Sequence, residues 1–197
     1  MHASIAARPM ASIRASLAGR RVTAKPLRAT RRAISVSRIQ AALKEGDDMA
    51  NYSDYFRKLQ TDKGDMISIS QYKGKKPVVL FFYPKAETPG CTAEVCSFRD
   101  RYSAFQKAGA EVIGISGDDR NAQASFSSKH SLPFTLAVDQ GNFLRKGFGI
   151  PNDMLGLLPG RQTFVIDKQG KCVLSFNSQL DTQGHIDNAL KAVEALV

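Results

Sequence analysis

Cys91 and Cys96 stand five residues apart in the segment Pro84-Lys85-Ala86-Glu87-Thr88-Pro89-Gly90-Cys91-Thr92-Ala93-Glu94-Val95-Cys96. Ahead of it, Val78-Val79-Leu80-Phe81-Phe82-Tyr83 is an apolar run of strand length. Behind it, Val95, Phe98, Tyr102 and Phe105 recur at helical spacing. Cys91 is therefore expected where a buried strand delivers a Pro- and Gly-containing loop into the first turn of a helix. Backbone N–H groups are unpaired there and the helix dipole is positive, so both favour thiolate over thiol. The chemistry expected is that of a sulfur nucleophile.

The spacing adds a constraint. On an intact helix, residues five apart are separated by about 7.5 Å of rise and face different ways, which puts their Cα atoms roughly 8.6 Å apart. A disulfide wants about 4.4–6.8 Å. A Cys91–Cys96 bridge therefore requires the first turns to unwind, and a rigid structural staple is excluded. The spacing also differs from Cys-x-x-Cys, the motif of thioredoxin-like oxidoreductases.

Pro84-x-x-x-Thr88-x-x-Cys91 resembles the active-site motif of the peroxiredoxins. A second Cys five residues on, followed by Phe98-Arg99-Asp100, is similar to the peroxiredoxin Q (bacterioferritin comigratory protein) branch of that family. Further matches follow in order: Ala108-Gly109-Ala110-Glu111-Val112-Ile113-Gly114-Ile115-Ser116, Leu132-Pro133-Phe134, and Leu158-Pro159-Gly160-Arg161-Gln162-Thr163-Phe164. The resemblance runs from about residue 64 to the end. It implies a thioredoxin-like α/β fold, with a mixed central β-sheet flanked by helices. One departure stands out. Where the family usually carries Ala-Pro-x-Phe before the first hairpin, this chain has Asn51-Tyr52-Ser53-Asp54-Tyr55-Phe56, so a loosely ordered N-terminal edge is expected.

The resemblance also implies roles. Cys91 becomes the peroxidatic nucleophile, whose thiolate attacks a peroxide O–O bond and is left as a sulfenic acid. Cys96 becomes the resolving thiol that closes an intramolecular disulfide with Cys91. Thr88 places a hydroxyl on the thiolate or the incoming peroxide, and Pro84 shields the site from water, offering no competing N–H. Arg161 holds the thiolate and polarises the peroxide with its rigid fork of donors. Glu94 and Arg99 orient the site from the helix. Without the resemblance, Cys96 equally suits a small core position, Thr88 a turn, Arg161 a solvated residue beside a turn, and Glu94 and Arg99 a solvated helix face.

Cys172 alternates with Leu174 and Phe176 on the apolar side of a strand, so packing is expected of it ahead of redox work. His2, His130 and His185 are scattered, and none falls at ligand spacing with cysteines or acids. No metal site and no bound cofactor is expected.

The formal charge of +10 invites a nucleic-acid reading, but its location argues otherwise. Residues 1–44 hold ten of the 28 basic residues and none of the 18 acidic ones, so residues 45–197 carry 18 of each. The leading segment is rich in Ala, Ser and Arg and lacks an apolar run of secretory-signal length. It reads as an organellar transit peptide, with a retained basic tail as the alternative. The expected division is 1–44, disordered transit peptide, and 45–197, folded domain. The resemblance favours the chloroplast over the mitochondrion, and the lack of an apolar run after Arg31-Arg32 argues against a second, thylakoid-lumen address and so for the stroma. No run approaches the ~20 apolar residues of a membrane span. Three cysteines do not make a disulfide-rich secreted scaffold.

The remaining elements are expected as follows: residues 45–64 polar and irregular, 66–70 a strand, and 91–108 a helix capped by Gly109. A strand over 111–116, a helix over 120–130 opened by Asp118-Asp119, a strand over 134–138 and a short helix over 142–148 follow. A hairpin of 162–167 and 172–177 and a helix over 183–196 close the chain.

The function expected is that of a monomeric thiol peroxidase, reducing hydrogen peroxide and alkyl hydroperoxides with electrons from thioredoxin or a similar dithiol protein. Two other classes stand beside it. A disulfide oxidoreductase lacks its Cys-x-x-Cys here. A redox-sensing or nucleic-acid-binding module has no cationic domain to support the nucleic-acid version.

Overall fold

The computed structural model describes residues 42–153 and 155–197. Nearly all of the expected transit peptide lies outside the described residues. The strands are β1 (Lys58–Thr61), β2 (Met66–Ser68), β3 (Val78–Phe82), β4 (Glu111–Ser116), β5 (Thr135–Val138), β6 (Asn152–Asp153), β7 (Leu158–Pro159), β8 (Gln162–Ile166) and β9 (Cys172–Asn177). The α-helices are α1 (Pro89–Lys107), α2 (Arg120–Lys129), α3 (Phe143–Gly147) and α4 (Thr182–Glu194).

Seven strands form one sheet in the order β2-β1-β5-β4-β3-β8-β9. β3, β4 and β5 run parallel, and the other neighbours are antiparallel. Parallel neighbours need crossovers, and α1 and α2 supply them. β3 sits at the centre, covered on both faces, which is why its sequence is an unbroken apolar run with all five residues buried.

The pleat divides that run between two cores. Val79, Phe81 and Tyr83 join Val95, Phe98 and Phe105 of α1, Phe126 of α2 and Ile186, Ala189 and Val193 of α4. Val78, Leu80 and Phe82 join Leu144 and Phe148 on the opposite side, with Met49, Tyr52 and Tyr55 from the N-terminal segment. Phe98 stacks on Phe81 at 4.2 Å and anchors the middle of α1; truncating such a buried ring to Ala costs about 3–5 kcal/mol.

α1 ends as its sequence predicts. Gly109 has φ +73, and the amides of Gly109 and Ala110 return to the carbonyls of Gln106 and Phe105. This double closure needs a residue at ease in the left-handed region.

The N-terminal edge differs from expectation. Residues 45–64 hold two single-turn 3-10 helices, Met49–Asn51 and Ser53–Phe56, and then β1. Met49, Tyr52 and Tyr55 are buried, and the Tyr52 hydroxyl donates to Asp47 Oδ2 at 2.7 Å. Aromatic side chains rather than a proline hold this edge. β1 alternates between exposed and buried over only four residues, too short a pattern to read against its polar neighbours.

Cys172 also differs. β9 carries a bulge: Val165 pairs with Leu174 and Ile166 with Cys172, leaving Val173 as the extra residue. The bulge breaks the alternation. Cys172 therefore packs in the Tyr52 core, while Leu174 packs against the core on the other face. The basic segment's expected boundary falls just after Leu43, which is 3% exposed and whose amide bonds to Phe148 O at 2.9 Å.

Candidate active site

The C-terminal end of β3 delivers the chain through Tyr83 and the loop 84–88 into α1, placing Cys91 in that helix's first turn. Thr88 holds the N-cap position, with extended backbone, and its carbonyl accepts Thr92 N–H at 2.8 Å. The loop is tied to the neighbouring elements by a chain of hydrogen bonds. Ala86 N–H donates to Asp118 Oδ2 at 2.8 Å, Ser116 Oγ donates to the same oxygen at 2.8 Å, and Gln123 Nε2 donates to Ser116 Oγ at 2.7 Å. The Tyr83 hydroxyl closes the chain on Gln123 Oε1. Asp118, expected beside Asp119 as a helix cap, thus serves the loop, and Asp119 caps α2 through Ala122 N–H.

Cys91 is 1% exposed and Arg161 3%. Arg161 Nη2 lies 3.5 Å from Cys91 Sγ. Its other terminal nitrogen pairs with Glu94 Oε2, and Nε donates to Gln179 O at 3.3 Å. One guanidinium thus spans a sulfur, a carboxylate and a carbonyl, each on a different nitrogen of its rigid planar fork.

Glu94 is fully buried, one helical turn after Cys91. Burial pushes its pKa up to about 7, and the Arg161 charge opposes the rise. Its second oxygen, Oε1, makes no hydrogen bond and faces His185 Nδ1 at 3.9 Å. Burial lowers the His185 pKa to about 4, so this imidazole is neutral near pH 7. Nε2–H then donates to Ser178 O at 2.8 Å, and Nδ1 accepts from the Thr163 hydroxyl at 2.7 Å.

The structure adds Arg145, which the sequence reading passed over. It lies in α3 and is 3% exposed. Its guanidinium donates to Gly160 O, and to Tyr83 O at 3.0 Å. Its electrostatic neighbours include Cys91, Arg161 and Glu94; burial lowers its own pKa, with Asp139 opposing. Nothing in Leu144-Arg145-Lys146 separates Arg145 from the exposed Lys146. Only the packing of α3 turns one inward. Gly160 is required where the chain passes Pro151, because a Cβ there would stand 2.1 Å from Pro151 O.

The other candidates lie close by. Pro84 is half-buried directly after Tyr83, and the Thr88 hydroxyl donates to Lys85 O at 2.9 Å. Cys96 is half-buried on the same unbroken helix, its Sγ 3.8 Å from His130 Nδ1. Arg99 donates to His130 O at 2.9 Å and pairs with Asp100, away from Cys91. Cys172 is held apart, its thiol pushed up to about 12 by burial and donating to Leu174 O at 3.3 Å. Among the described residues no cluster of His, Cys, Asp and Glu is arranged to hold a metal ion.

Residues 56–175 match the AhpC/TSA family. This chain belongs to the AhpC/TSA family. Among its AhpC/TSA relatives, the chloroplastic peroxiredoxin Q of Populus jackii is 52% identical over 138 residues, 70% of this chain and 64% of that protein. The chain thus spans somewhat less than two thirds of that relative's length. The chloroplastic peroxiredoxin Q of Triticum aestivum is 46% identical over 166 residues, 84% of this chain and 74% of that one. In three dimensions, peroxidoxin BcpB from Mycobacterium tuberculosis superposes with a TM-score of 0.70 at 35% identity, covering 79% of this chain and 99% of that one. Within the AhpC/TSA family the chain falls on the peroxiredoxin Q branch, as the cysteine spacing implied, and the fold is the thioredoxin-like one of those neighbours.

Proposed function

We propose that this chain is a thiol peroxidase that reduces hydrogen peroxide and alkyl hydroperoxides and is recycled by thioredoxin or a similar dithiol protein. The observation that carries the reading is the 3.5 Å approach of Arg161 Nη2 to Cys91 Sγ at the start of α1.

The Cys91 thiolate attacks the terminal peroxide oxygen. The S–O bond forms as the O–O bond breaks, the leaving oxygen takes a proton and departs as water or alcohol, and Cys91 becomes a sulfenic acid. Negative charge moves from sulfur to the leaving oxygen, and Arg161, bound at the sulfur, faces that movement. Arg145 adds a second positive charge. Thr88 positions the peroxide once its hydroxyl leaves Lys85 O, and Pro84 keeps water from the sulfur. Cys96 then attacks the sulfenic sulfur and forms the disulfide, releasing water, and a dithiol protein restores both thiols. No bound cofactor enters these steps.

The chain acts as a monomer. Its basic leading segment directs it to the chloroplast stroma and is removed there.

The test is peroxide consumption coupled to thioredoxin, its reductase and NADPH. Cys91→Ser is expected to abolish turnover. Cys96→Ser is expected to consume about one equivalent and then stop, over-oxidising to sulfinic acid more readily. Full coupled turnover in either variant would overturn the corresponding assignment.

A further inference from the structure

We infer that His130 is the proton acceptor that generates the Cys96 thiolate, in a chain Cys96–His130–Glu87; the inference rests on the peroxidase reading above. His130 Nδ1 lies 3.8 Å from Cys96 Sγ. The other ring nitrogen, Nε2, is buried and makes no hydrogen bond. It faces Glu87 Oε2 at 3.9 Å. A thiol, an imidazole and a carboxylate in this order form the arrangement by which a base is oriented and a nucleophile activated.

The ring is held from several sides. His130 caps α2, its amide bonded to Phe126 O at 3.2 Å, and its ring stands edge-on to Phe126 at 5.0 Å. From α1, Arg99 Nη1 donates to His130 O at 2.9 Å, and Asp100 pairs with Arg99. From the loop before α1, Glu87 is presented by a backbone in the left-handed region, φ +63. Lys129 binds the same Glu87 oxygen at 2.5 Å. The charged and titratable groups around His130 are therefore Cys96, Arg99 and Asp100 from α1, Glu87 from the loop and Lys129 from its own helix. In the tautomer with Nε2 protonated, Nδ1 offers a lone pair to the Cys96 thiol.

The step balances without an added reactant. While α1 is intact, the Cys96 S–H proton passes to Nδ1. The thiolate then attacks the Cys91 sulfenic sulfur, the S–S bond forms as the S–O bond breaks, and the departing hydroxide leaves as water with the proton that Nδ1 gives up through solvent, which restores the neutral imidazole. Cys96 sulfur is oxidised by one level and Cys91 sulfur reduced by one. A free thiol is only a few per cent thiolate near pH 7, so a base poised at Cys96 governs this step more than it governs the first.

The test separates the two half-reactions. Reduced protein is mixed with one equivalent of hydrogen peroxide and quenched at intervals. Peroxide loss reports Cys91; disulfide mass and dimedone-trapped sulfenic acid report resolution, from pH 5.5 to 9. In His130→Gln, disulfide formation is expected to slow at least tenfold or so at pH 6.5, with sulfenic acid accumulating. The gap should close toward pH 9, where hydroxide deprotonates an ordinary thiol unaided. Glu87→Gln, on an exposed loop, should show the same pH shape with a smaller loss of a few-fold, and it carries the test by itself where His130→Gln does not fold. Unchanged resolution, or slowing equal at every pH, overturns the inference. Failure of the unaltered protein to consume the first equivalent overturns instead the peroxidase reading beneath it.

Discussion

Arg161 Nη2 stands 3.5 Å from Cys91 Sγ across 70 residues of sequence, while Nη1 of the same guanidinium pairs with Glu94. The thiol and the carboxylate sit one turn apart on α1, and the arginine enters from the edge of β8. Charge delivered to the sulfur is therefore tied to the ionisation of a buried carboxylate.

Arg161→Met should slow consumption of the first peroxide equivalent by roughly 10²-fold, the usual scale for losing one preorganised donor to a developing charge. Breaking a buried pair also costs about 3–5 kcal/mol when the partner stays charged. The double variant Arg161→Met/Glu94→Gln separates the two effects: stability should recover in part, the rate should not. Stopped-flow peroxide loss and urea midpoints measure them. A first-equivalent rate equal to that of the unaltered protein would remove Arg161 from the reaction.

Glu94 and His185 impose opposite pH dependences on stability. The Glu94 pKa is raised by folding to about 7, so its contribution is full below about 4.5 and is lost as pH rises through about 7. The His185 pKa is depressed to about 4, so its contribution is full above about 6.5 and is lost as pH falls through about 4. Between those limits the two slopes oppose each other. Across about 4.5–6.5, Glu94→Gln should leave stability that rises more steeply with pH and His185→Gln stability that falls more steeply. Urea midpoints against pH for the three proteins test the signs, and parallel curves would contradict both.

Disulfide formation should trade the first turns of α1 for an S–S bond. The helix runs unbroken from Pro89 to Lys107 with both thiols free, and ideal geometry holds its Cys91 and Cys96 Cα atoms about 8.6 Å apart. Thr92 and Ala93 bury little, Glu94 and Val95 must give up full burial, and Phe98 and Phe105 lock the helix beyond them. Amides over 92–97 should exchange faster in the disulfide form, and those of β3 and β4 should change little. Equal protection over 92–97 in both forms, with the disulfide verified by mass, would refute local unwinding.

Leu43 is the first buried residue among those described, and its amide bonds to Phe148 O. A chain beginning at Ala42 should match the full-length protein in thermal stability. One beginning at Glu45 loses a buried leucine side chain, about 1.5–3 kcal/mol, and its amide bond to Phe148. Thermal melting of the two truncations measures the difference. Equal melting temperatures would show that the Leu43 contact contributes nothing.

Local pattern determined a good deal of this protein by itself. The apolar run of β3, the helical spacing of Val95, Phe98 and Phe105 and the glycine stop at Gly109 are short-range signals, and each names an element and one of its ends. They place Cys91 in a first turn before any contact is known, and the cysteine spacing then dictates that a bridge must unwind the helix. What the tertiary structure alone decided is which distant side chains meet. Arg145 and Lys146 are neighbours of like charge, and only the packing of α3 buries one beside Tyr83 and Gly160. Cys172 changes face because one residue bulges against β8. His130 and His185, scattered in sequence, come to rest against Cys96 and Glu94. The physical reason is the same throughout: periodicity records which face of an element is apolar, while a buried charge or imidazole is stabilised by partners that enter from other elements, and no spacing along the chain encodes that meeting.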